Sequence, residues 1–78
     1  MDTHVRVTGW REGAKKVSAS VTLKEFVPLD LAEAKRVLDD VLDGEAVTLP
    51  TMRRKRAVAL VEKLTALRFE AELEERNV

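Results

Sequence analysis

Apolar and polar positions change their spacing several times along the chain, and each change marks an element. Val5 and Val7 alternate with His4, Arg6 and Thr8, the period-two pattern of a half-buried strand, which Gly9 extends toward Trp10. Arg11-Glu12-Gly13 reads as a turn. The clearest helix begins at Asp30, whose side chain can cap the first turn while Glu33, three residues on, completes a capping box. Ala34, Val37, Leu38, Val41 and Leu42 then follow as an amphipathic stripe, and Gly44 supplies the stop. Ala46 to Leu49 is a short strand closed by Pro50. Thr51 is expected to cap a further helix with Ala57, Leu60, Val61, Leu64 and Leu67 as its buried stripe. Phe69, Ala71 and Leu73 alternate with Glu70, Glu72 and Glu74, a strand with one wet face.

Periodicity leaves the segment from Lys15 to Val27 open. Val17, Ala19, Val21 and Leu23 alternate with Ser18, Ser20 and Thr22, which by period reads as strand. Wound as a helix, the same residues form two apolar clusters. Ala19, Leu23 and Phe26 share one face and would join the core; Val17 and Val21, one turn apart, point elsewhere beside Lys24, with Lys16 and Ser20 between.

Composition narrows the function classes. A chain of 78 residues reads as one domain, 1–78. At that size only about 60% of the unfolded surface is buried, too little for a conventional nucleotide-binding α/β sheet. Hydrophobic residues make up 45% and charged ones 36%, the balance of a folded soluble domain. Without cysteine there is no disulfide framework, thiolate metal site or cysteine nucleophile, and the cytoplasm is the default location. The longest apolar run, Ala57–Val61, is far short of a membrane span, and the first residues do not read as a signal peptide. The formal charge of zero is a sum of unlike blocks: +2 over 1–27, −4 over 28–47, +5 over 48–68 and −3 over 69–78.

Two charged or exposed features are candidate sites. Val17 and Val21 would form a small apolar patch rimmed by lysines, a pattern of partner surfaces. Arg53-Arg54-Lys55-Arg56 opens the third helix, where the macrodipole disfavours cations by about 0.3–1 kcal/mol each when exposed. Thr51, Arg53, Arg54 and Arg56 are therefore the alternative site, for phosphate or nucleic acid. Four consecutive helical residues point around nearly a full turn and no aromatic interleaves them, which argues against nucleic acid. Pairing of these cations with Asp43, Glu45 or the glutamates of the last strand is the commoner arrangement. Nothing points to catalysis: His4 stands alone, and Ser18 and Ser20 have no neighbouring histidine. Asp39, Asp43 and Glu45 read as an acidic helix surface rather than a metal site, and no cofactor is implied. Trp10 is expected to anchor the edge of the core, with Phe26 and Phe69 the other aromatics.

The run from Lys16 to Lys35, most specifically Leu29-Asp30-Leu31-Ala32-Glu33-Ala34-Lys35, resembles the C-terminal domain of the bacterial ribosomal stalk protein. There a basic-aliphatic helix runs through a tight turn into a Glu-Ala-Lys helix. The register holds without a gap from Val5 to Lys35, and the later order of elements is similar too. The resemblance implies an α+β fold of order β-α-α-β-α-β, three antiparallel strands covered on one face by three helices, and so a helix over Lys15–Val27. It also implies a non-enzymatic docking module, which in the stalk proteins recruits translation GTPase factors through the first two helices. Carried over by position, the docking residues are Lys16, Val17, Ser20, Val21, Lys24 and Lys35. Ser20 stands where the family has a larger aliphatic residue, Val21 where it has a lysine, and Pro28 and Asp30 replace the glycine turn. Asp43-Gly44-Glu45-Ala46-Val47 also resembles the helix-to-strand junction of the adaptor that presents substrates to the Clp protease. The acidic loop of that family has no counterpart here beyond Glu12.

Overall fold

A computed structural model describes residues 2–76, with side chains from Thr3 to Glu75. In chain order the elements are β1 (Asp2–Trp10), α1 (Lys16–Phe26), α2 (Leu31–Leu42), β2 (Val47–Thr48), α3 (Arg54–Ala66) and β3 (Phe69–Arg76). This is the expected β-α-α-β-α-β order, and the three strands form an antiparallel sheet in the order β2-β1-β3. Thr3, Val5 and Val7 of β1 point inward, where they meet the row Phe69, Ala71 and Leu73 of β3. His4, Arg6 and Thr8 lie on the opposite, open face with Glu70, Glu72 and Glu74. The register slips between Val7 and Gly9, a bulge that leaves Gly9 opposite Glu70 and Trp10 opposite Phe69.

Helices α2 and α3 lie against the sheet, and α1 packs across the two of them. Each helix adds two or three buried side chains to one continuous core: Ala19 and Leu23 from α1, Ala34, Leu38 and Val41 from α2, and Ala57, Leu60 and Leu64 from α3. Burying a Leu or Val of this kind contributes about 1.5–3 kcal/mol. Phe26, at the end of α1, is held on α3 from outside the core. The Arg56 guanidinium lies 5.0 Å and the Lys63 ammonium 5.4 Å from its ring centroid.

Helix ends follow local chemistry. Asp30 caps α2 by accepting from the Glu33 N–H at 2.8 Å; among the described residues the Glu33 carboxylate makes no return bond, so only half of the expected box forms. Gly44 ends α2 with φ +96°. The Gly44 N–H donates to Val41 (3.0 Å) and the Glu45 N–H to Asp40 (2.9 Å), which together make a Schellman motif. Arg68 occupies the equivalent left-handed position after α3, with φ 71° and its N–H on Thr65 at 3.1 Å.

Two expectations are corrected. Thr51 does not cap α3. The Met52 N–H donates to Thr3 at 2.9 Å, which keeps Thr51–Met52 extended beside β1, so the helix begins only at Arg54 with Arg53 at its cap position. Trp10 is no core anchor: it is 47% exposed at the end of β1.

Candidate surface on the first two helices

The face of α1 turned away from the core carries the candidate site. Val17 and Val21 sit one helical turn apart, 73% and 47% exposed, and Lys24 continues the same stripe. Leu31, at the start of α2, is also exposed. Three of the four large exposed hydrophobic residues of the described chain therefore belong to this helix pair, the fourth being Trp10. Lys16 pairs with Asp39 of α2. α1 and α2 are joined by a short link and packed together, and the exposed pair ties the start of α1 to the second half of α2.

Of the expected docking residues, Val17, Val21, Lys24 and Lys35 are exposed. Ser20 is not. It is fully buried, and its hydroxyl donates to the Lys16 carbonyl at 2.9 Å. A helical residue so placed faces the neighbouring helices and has no surface to offer a partner, so Ser20 leaves the site. Lys16 stays at the rim, but its charge is matched by Asp39, which leaves Lys24 and Lys35 as the expected docking cations that form no ion pair among the described residues. Leu31 lies in the first turn of α2, seven residues before Leu38 and so on the core stripe by helical period; its exposure was not visible in the sequence.

The basic start of α3 does not assemble into one site. Arg54 pairs with Glu75 of β3, while the Arg56 Nη2 donates to the Glu25 carbonyl at 3.0 Å and its guanidinium covers Phe26. One side chain thus reaches the sheet and the other reaches the C-terminal end of α1, where a cation complements the helix dipole. The Thr51 hydroxyl lies 3.4 Å from His4 Nε2, and His4 Nδ1 donates to the Leu49 carbonyl at 3.0 Å, so Thr51 is turned to the open face of the sheet. Of Asp39, Asp43 and Glu45, the first is committed to Lys16, and among the described residues no cluster of three metal-ligating side chains occurs. No helix is long and apolar enough to cross a membrane. Neither a protein-family model nor a curated protein matches the chain.

Proposed function

We propose that this domain is a non-enzymatic protein-docking module, similar in kind to the stalk C-terminal domain, whose binding face is formed by Val17, Val21 and Lys24 with Lys35 and Lys16 at its rim. The observation that carries the reading is the exposure of Val17 and Val21 on a helix whose other face already fills the core. Two exposed valines a turn apart, bordered by lysines, offer an apolar centre with a polar rim. The cations suit a partner that places carboxylates around an apolar side chain. By resemblance, a GTPase factor of translation is the first partner class to test, in the cytoplasm. The phosphate or nucleic-acid alternative is not carried forward, because Arg54, Arg56 and Thr51 are directed to different elements.

The test compares capture of partners from native cell extract by the wild-type domain and by Val21→Asp/Lys24→Glu. Both positions are exposed, so the double variant keeps its fold, as circular dichroism will verify. Loss of the captured protein from the variant is the expected result. In a mixture with that protein, amide shift changes should fall within residues 16–35. An unchanged capture profile, or shifts confined to residues 51–56, overturns the proposal.

A further inference from the structure

β3 is an outer strand, and among the described residues only one of its edges is paired. Hydrogen bonds on the far side of β1 reveal which of its main-chain groups are involved. Thr3 and Val5 accept from Met52 (2.9 Å) and Leu49 (2.8 Å), so these residues turn their main-chain groups toward β2. Successive residues of an antiparallel strand face opposite sides. His4 and Arg6 therefore face β3, where Glu74 and Glu72 are their register partners. It follows that the N–H and C=O groups of Ala71, Leu73 and Glu75 point away from β1, along an edge that no other described strand pairs.

The side chains along that edge carry a sign. Glu70, Glu72 and Glu74 share the open face of the sheet at a spacing of about 6.8 Å. Glu70 and Glu72 are exposed and form no ion pair among the described residues. Ala71 and Leu73, on the inward row, are half-buried. A shallow depression of about 490 Å³ lies at the loop end of β3, lined by Thr65 and Arg68, by Glu70, Ala71 and Glu72 of the strand, and by Thr8 and Arg11 from the end of β1. Arg11 and Arg68 bound the acidic row at its loop end.

A second copy of the chain is the wrong occupant. Two β3 strands paired edge to edge would set the glutamates of one against those of the other, and like charges directly opposite are destabilising. We propose that the open edge of β3 is a strand-addition site for an extended basic peptide segment, with Lys or Arg at alternate positions facing Glu70 and Glu72 and small or apolar residues between them. Main-chain bonds to Ala71, Leu73 and Glu75 supply affinity, and the acidic row that prevents self-pairing selects the partner.

The probe is a synthetic octapeptide of alternating lysine and valine, titrated into the full chain and compared with its glutamate–valine counterpart. The lysine peptide should slow hydrogen exchange at the Ala71, Leu73 and Glu75 amides, and the glutamate peptide should leave them unchanged. Glu70→Lys/Glu72→Lys should lower affinity for the lysine peptide about tenfold, since each cross-strand charge pair becomes a like-charge contact. Ala71→Pro is tolerated where the N–H faces away from the ladder, and it should abolish the protection. Equal response to both peptides, protection that persists in both variants, shifts confined to residues 16–35, or no protection at millimolar peptide overturns the proposal.

Discussion

Replacing Ser20 distinguishes a packing position from a docking one. The residue sits in α1 between Ala19 and the exposed Val21, fully buried, with its hydroxyl on the Lys16 carbonyl. In the stalk-like reading of the sequence a larger aliphatic residue belongs here, so Ser20→Leu is the informative change. At a closely packed site the added methylenes force off-rotamer side chains, at a cost of about 1–3 kcal/mol. A domain of this length has a total stability of roughly 4–12 kcal/mol, at 0.05–0.15 kcal/mol per residue. The loss is therefore a large share of the whole, and each kcal/mol lowers the melting temperature by about 4–8 °C. Ser20→Ala is the control. The Lys16 carbonyl keeps its helical bond from the Ser20 N–H, so no buried acceptor is orphaned, and a back-bonding hydroxyl is exchanged for the best helix former. That variant should match the wild type or exceed it by up to about 0.5 kcal/mol. Urea unfolding followed by circular dichroism, with the slope unchanged, measures both. Should Ser20→Leu lie within about 0.5 kcal/mol of wild type, as surface substitutions do, the packing assignment is wrong and Ser20 returns to the candidate face.

Two further substitutions test the helix ends. Arg68→Gly relieves a left-handed residue that costs an L-amino acid roughly 1–2 kcal/mol, so the variant should gain about 1 kcal/mol after glycine's entropy is subtracted, read as a rise in melting temperature. Asp30→Ala removes the acceptor for the Glu33 N–H and should cost about 1 kcal/mol, with faster amide exchange at Glu33 as its local mark.

What the sequence revealed and what it hid follow from how far each signal reaches along the chain. The α2 stripe, the Asp30 cap and the Gly44 stop are local and were legible, as was the alternation of β3. The start of α3 was not, because the bond from Met52 to Thr3 joins residues far apart in sequence and overrides a plausible cap at Thr51. Ser20 misled for a related reason. The resemblance carried it onto the docking face by position, but α1 packs on two helices at once, and the second contact covers a flank that a single stripe does not predict. The ambiguity of α1 itself has a physical cause. Val17 and Val21 are apolar residues off the core face, and together with Ala19 and Leu23 they simulate a period of two. The residues that obscured the helix are those that now form the candidate docking surface.

The neutral charge of the chain acquires a geography once the elements are packed. The positive block before residue 28 meets the negative block after it through Lys16 and Asp39. Likewise the positive start of α3 meets the negative β3 through Arg54 and Glu75, while Arg56 turns to the carbonyl end of α1. Each contact removes one cation from the set that could serve a partner. Of the docking residues Lys24 and Lys35 remain on the helix layer, and Glu70 and Glu72 remain on the open side of the sheet, with α2 and α3 between α1 and the strands. The two proposed surfaces thus differ in sign, and Coulomb attraction screened over about 8 Å at physiological salt will not couple them across the domain. Partners of opposite charge can occupy them together, and raising salt should weaken both without converting one specificity into the other.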